Sequence, residues 1–130
     1  MSSQFSHITG PISAIITGSV QRPESLGSAK LATLFQIDVF RGQYEWTVFR
    51  RLGQFKDLDK SWKNRKIKVI SLPVFGKKID HETKREGMEK YLHSLLMNDD
   101  IALHPLLVNF LLPIQMDDTK PKKMDGLNLN

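Results

Sequence analysis

The stretch LATLFQIDVFRGQYEWTVFRR, residues 31 to 51, decides how this chain folds. Leu31, Thr33, Phe35, Ile37 and Val39 fall on one face of an extended segment, and its β-branched and aromatic content suits a pleated, half-buried surface. Arg41-Gly42-Gln43 breaks the alternation, after which Tyr44, Trp46 and Val48 again share a face. Two alternating runs across a short glycine-containing break predict an antiparallel hairpin.

Outward from the hairpin, the period changes on the C-terminal side. Phe55, Leu58 and Trp62 recur at helical spacing, with Lys56, Lys60 and Lys63 available for the wet side, which predicts an amphipathic helix directly after Arg51. Arg65 to Ser71 reads as a short extended piece, and Leu72 to Gly76 as a loop carrying Val74 and Phe75 beside Lys77 and Lys78. From about Thr83, the stripe Met88, Tyr91, Leu92, Leu95 and Leu96 marks a second helix; Asp99 or Asp100 is placed to cap a short turn. Pro105 suits the first position of a last helix that buries Leu107, Phe110 and Leu111. On the N-terminal side, Ile12 to Val20 reads as a first strand with irregular alternation, followed by a loop from Gln21 to Ser28. Residues 1–10 read as a flexible leader and 115–130 as a flexible tail or linker, leaving one domain over 11–114.

Composition narrows the function classes. With 130 residues, 40% hydrophobic and 25% charged, the chain fits one globular unit, and its apolar runs fall far short of a membrane span. The absence of cysteine removes disulfides, thiol nucleophiles and most structural zinc sites, and is compatible with a cytoplasmic location. After His81-Glu82, the position where a zinc-peptidase helix needs its second histidine is Arg85, and Gly76-Lys77 lacks the upstream glycine and following hydroxyl of a nucleotide-binding loop. No catalytic residue, metal ligand or cofactor site is therefore expected. The net charge is +5, yet residues 41–90 hold fourteen of the 19 basic and seven of the 14 acidic residues, a local excess of +7. That asymmetry points to an anionic partner.

Arg51 stands where strand hands over to helix. A guanidinium there presents a planar fork that matches two phosphate oxygens, beside backbone N–H groups that face the same way. Arg50 reads more simply as a solvated arginine.

Four segments in register resemble the phox-homology (PX) domain. Phe49-Arg50-Arg51-Leu52-Gly53-Gln54-Phe55 is similar to its signature of two basic residues, an aromatic and a later phenylalanine. Leu72 to Lys78 resembles its proline-rich loop ending in lysine, Lys84 to Leu92 its basic helix motif, and His104-Pro105 through Leu111 its closing segment. The resemblance implies an α+β fold, with a three-stranded antiparallel β-meander packed against a helical subdomain of three to four helices. It also implies a non-enzymatic module that binds a phosphoinositide headgroup, foremost phosphatidylinositol 3-phosphate, as in sorting nexins. By position, Arg51 matches the clamp on the 3-phosphate, Lys77 or Lys78 the lysine at the 1-phosphate, and Lys84 the arginine that meets the 4- and 5-hydroxyls, with Arg85 one place later. Leu52 stands where the family usually stacks an aromatic on the inositol ring, a departure that leaves only apolar contact. Val74 and Phe75 are candidates for membrane insertion.

The implied partners are phosphoinositide-bearing membranes, endosomal ones included, met from the cytoplasmic side as a peripheral protein. The alternative is a protein-docking domain, using its surface or the basic tail Lys120-Pro121-Lys122-Lys123. Nucleic acid is disfavoured, because none of the usual nucleic-acid motifs accompanies the basic stretch.

Overall fold

In a computed structural model that describes Phe5 and residues 7–124, the hairpin forms the centre of an antiparallel sheet. Strands β1 (Ile12–Pro23), β2 (Leu31–Arg41), β3 (Tyr44–Arg50) and β4 (Lys122–Lys123) lie in the order β1-β2-β3-β4. The first three are the expected meander; β4 is a two-residue addition at the β3 edge. The β2–β3 turn is tight because Gly42 takes φ 60° and packs against the leader, where a Cβ would lie 2.6 Å from the Thr9 carbonyl oxygen.

Irregular alternation in the first strand has a structural cause. The β1–β2 register shifts between Ile16 and Gly18, so Ile12, Ala14 and Ile16 are buried before the bulge and the pattern blurs after it. The outer edge of the bulge is held by side chains of the second helix: Ile16 N–H donates to Glu89 Oε1 at 2.8 Å, and Arg85 Nη1 donates to the Ile16 carbonyl at 2.9 Å.

The helices are α1 (Leu52–Asn64), α2 (His81–Leu96), α3 (Asp99–Ala102) and α4 (Pro105–Phe110). The α1 stripe of Phe55, Leu58 and Trp62 is buried, as are Met88, Tyr91, Leu92 and Leu95 of α2, and together with Phe35, Ile37, Val39 and Val48 they form one core. Each such side chain, fully buried, contributes about 1.5–3 kcal/mol. Helix α2 starts two residues earlier than its apolar stripe suggests, because Asp80 caps it by accepting from Thr83 N–H at 2.7 Å. The short α3 is capped by Asn98, through its side-chain oxygen and Asp100 N–H, and not by an aspartate. Pro105 does occupy the start of α4. Residues 67–71 add no strand.

Both ends differ from expectation wherever they are described. In the leader, Ile8 is buried, Phe5 packs against the core and His7 meets the Tyr44 ring edge-on at 5.5 Å; residues 1–4 and 6 lie outside the described residues. The expected tail is tied to the β3 edge. Asp118 pairs with Arg50 at 2.8 Å, with side chains 0% and 1% exposed, and also accepts from the N–H groups of Phe49, Ile114 and Gln115. Thr119 exchanges hydrogen bonds with Thr47, and Lys122–Lys123 pair with Tyr44 and Glu45. Residues 115–124 are thus part of the domain, while 125–130 lie outside the described residues.

Arg50 is accordingly not a solvated arginine. Its guanidinium donates to the carbonyls of Phe49, Phe110 and Leu112 as well as to Asp118, and lies over the Phe110 ring at 5.8 Å. Every face of the buried charge has a partner, as burial requires.

Candidate functional site

Arg50 and Arg51 are neighbours with opposite fates, because strand geometry sends successive side chains to opposite faces. With Arg50 locked inward, Arg51 leaves the strand end in an extended conformation, caps α1 and points outward. Its own N–H is satisfied by Gln54 Oε1 at 2.8 Å, and its side chain offers no acceptor to the first turn of α1. Leu52 and Gly53, in the first turn of that helix, line the same space as Arg51.

That space is a cleft of about 250 Å³ lined by Glu24, Ala32, Thr33, Phe35, Arg51, Leu52, Gly53, His81 and Lys84. Four elements contribute: the start of the β1–β2 connection, β2, the α1 N-terminus and the first turn of α2. Arg51 Nη2 reaches the Glu24 carbonyl at 3.5 Å, which leaves most of its donors open to a ligand. Of the site residues expected from the sequence, Arg51, Leu52 and Lys84 come together here. Leu52 is half-buried and supplies the apolar floor next to Phe35.

Arg85 is directed elsewhere. Nε and Nη2 bind the Glu82 carboxylate at 2.8 and 2.6 Å, while Nη1 holds the β1 bulge; the same contact keeps the Glu82 carboxyl below its usual pKa. Of the two adjacent cations, Lys84 lines the cleft and Arg85 staples helix to sheet. Lys77 and Lys78 are exposed on the loop before α2 and do not line the cleft.

The Val74-Phe75 pair also splits. Val74 is 99% exposed at the loop tip, whereas Phe75 turns back onto α2, where a Cβ on Gly87 would lie 2.7 Å from its ring. Gly87 is the seat for that ring. Phe75 is thus a half-buried packing residue, and Val74 alone presents an apolar tip. Between this loop and α1 lies a second cleft of about 400 Å³, lined by Lys56, Lys60 and Lys63 together with Asp59, Leu72, Pro73, Val74 and Phe75. Lys63 pairs with Asp59 at 2.9 Å, so Lys56 and Lys60 carry the uncompensated charge there.

Sequence reasoning missed Glu24, Thr33, Gly53 and His81. They come from positions up to 57 residues apart with no common spacing, so only Gly53, next to the Arg51-Leu52 motif, carried a local signal. Among the described residues no cluster of histidine and carboxylate side chains suits a metal ion, and no helix is long and apolar enough to cross a membrane.

Known proteins resemble this chain in sequence or in shape. The chain is similar to the serine/threonine-protein kinase Sgk3 of Rattus norvegicus and of Mus musculus, 29% identical over 98 residues, which is 70% of this chain and 19% of each kinase. A probable serine/threonine-protein kinase of Dictyostelium discoideum is 32% identical over 77 residues, 53% of this chain and 4% of that protein. This chain thus spans about a fifth or less of the curated relatives it matches. Among solved structures, a designed CISK-PX domain superposes with a TM-score of 0.66 at 26% identity, covering 76% of this chain and 97% of that one. The mouse SNX19 PX domain with bound sulphate ion gives 0.61 at 23% identity, covering 77% and 95%. No protein-family model matches the chain.

Proposed function

We propose that this chain, a PX domain of a class that in general binds phosphoinositides at membranes, takes the headgroup of phosphatidylinositol 3-phosphate in its cleft. The observation that carries this reading is the convergence of Arg51, Lys84 and the α1 N-terminus on one small cleft floored by Leu52. Arg51 is the bidentate phosphate ligand. Lys84 is a flexible point charge at the far side of the inositol ring, and Leu52 gives it an apolar face to rest on. Lys77 and Lys78, standing outside the cleft, act on the anionic bilayer surface beside the headgroup.

Docking adds weak contacts to the headgroup. Val74 enters the interfacial region from the loop tip, flanked by Lys56, Lys60, Lys77 and Lys78, each worth about 1 kcal/mol near an anionic surface. The module therefore sits peripherally on membranes bearing the lipid, endosomal membranes among them. The alternative of protein docking through the basic tail is less well supported, since Lys122 and Lys123 lie in β4 and Lys122 faces Glu45 at 3.8 Å.

The test is equilibrium binding to liposomes matched for total charge, each carrying one phosphoinositide, at low and raised salt. Preference for phosphatidylinositol 3-phosphate that survives salt, and falls at least tenfold in a folded Arg51→Gln protein, is the expected result. Equal binding to all lipids reduces the site to a basic surface and refutes the proposal.

A further inference from the structure

The cleft holds one histidine. His81, the first residue of α2, lines it together with Arg51 and Lys84 and is exposed to solvent. The other ionisable groups around it are few and in defined places. From the β1–β2 connection comes Glu24, from the α1 end Arg51, and from α2 Lys84 one turn on. On its own helix, Asp80 precedes His81 and is committed to the Thr83 cap, and hydrogen bonds from Thr83 hold its carboxyl below the usual range. Glu82 follows it and is committed to Arg85. Glu82 is thus engaged elsewhere, Asp80 keeps a charge interaction with His81 beside its Thr83 cap, and β2 offers only the neutral Thr33 and the apolar Ala32 and Phe35. The Thr33 hydroxyl already accepts from Gln21 at 2.8 Å.

We infer that His81 is a further headgroup contact in this cleft, and that its protonation strengthens the grip on a phosphorylated inositol as pH falls. The inference rests on the headgroup reading above and deepens it. Charged imidazole donates from both ring nitrogens and adds a third cation to Arg51 and Lys84; neutral imidazole keeps one donor and adds no charge. Lys77 and Lys78 of the preceding loop do not line the cleft, whereas His81 does. Anion binding favours the protonated form of an imidazole, so by linkage the bound state holds the proton more tightly and affinity rises as pH falls. The ligand opposes this, because a phosphate monoester loses its second charge near pH 6. The measured quantity is therefore the ratio of wild-type to variant affinity, in which the ligand's own titration cancels.

The experiment is calorimetric titration of the intact chain with soluble short-chain phosphatidylinositol 3-phosphate at pH 7.5 and 5.5, with inorganic phosphate as a second probe. The proteins are wild type, His81→Gln, His81→Lys and Arg51→Gln. Both substituted side chains, His81 and Arg51, are exposed, and a thermal melt checks each fold. The expected result is a wild-type to His81→Gln ratio that grows by about threefold to fivefold at the lower pH, the size of one exposed ion pair. His81→Lys should bind as tightly at pH 7.5 as its charge allows and keep a flat ratio to His81→Gln. Inorganic phosphate should show the same direction more weakly if the contact is to phosphate. A ratio of wild type to His81→Gln that is equal at both pH values overturns the His81 assignment, while loss of binding in Arg51→Gln alone leaves the headgroup reading standing. Wild-type protein that binds short-chain phosphatidylinositol equally well overturns both.

Discussion

Removing the Asp118 carboxylate should destabilise the whole domain, although Asp118 lies in a stretch of sequence with no secondary-structure signal. In Asp118→Ala the Arg50 guanidinium keeps its three carbonyl partners but loses its only counter-charge among the described residues, at a position 1% exposed. The N–H groups of Phe49, Ile114 and Gln115 lose their acceptor in the same step. Breaking a buried pair by removing one partner costs about 3–5 kcal/mol, a large part of the 5–15 kcal/mol that holds a typical domain together. For a domain of this size that is a fall of roughly 10–20 °C in Tm. Urea unfolding followed by tryptophan fluorescence reads it well, since Trp46 is tied to the Leu111 carbonyl at 2.6 Å and reports on the same edge. The double variant Arg50→Met/Asp118→Leu should recover part of the loss, as an apolar pair needs no counter-charge, yet the stranded N–H groups keep it below wild type. If Asp118→Ala unfolds within about 1 kcal/mol of wild type, the C-terminal segment is not held on the β3 edge and the reasoning fails.

The loop before α2 separates two effects. Val74→Asp should leave Tm unchanged and weaken liposome binding while sparing a soluble headgroup lipid; weaker binding to the soluble form would argue against bilayer insertion. Phe75→Asp should instead lower Tm, because a charge replaces the ring seated on Gly87, and an unchanged melt would show that the ring is dispensable. Lys84→Arg should sharpen preference for the 3-phosphate lipid over those phosphorylated at the 4- or 5-position, since a rigid fork fills space that a lysine leaves adjustable; unchanged selectivity in matched liposomes counts against the assigned position. Burial, the nearby Asp59 charge and the hydrogen bond to it raise the Tyr91 pKa. Its contribution to stability is therefore present below the unfolded value near 10 and lost as pH rises above it. Tyr91→Phe should flatten the alkaline fall in stability, and an equally steep fall in the variant would place its origin in other groups.

Alternation and helical spacing were enough to specify the three long strands, the α1 and α2 faces and their order, because those patterns report burial residue by residue. The α1 stripe of Phe55, Leu58 and Trp62 needed no knowledge of what it packs against. The Arg51-Leu52 motif was legible for the same local reason: a strand-to-helix junction is written in neighbouring residues. What the tertiary structure decided is which of two adjacent cations faces the cleft. Arg50 and Arg51 differ only in parity, and the inward one is stabilised by Asp118, 68 residues away. Lys84 and Arg85 differ by one step around α2, and Arg85 is taken by the β1 bulge and Glu82, leaving Lys84 for the cleft. Glu24, Thr33 and His81 likewise meet only because β1, β2 and α2 converge. Local sequence encodes periodicity, but the pairing of a charge with its partner depends on distances set by the packed sheet and helices. So composition and spacing determined the elements and a basic stretch, the resemblance implied a pocket, and packing determined which side chains line it.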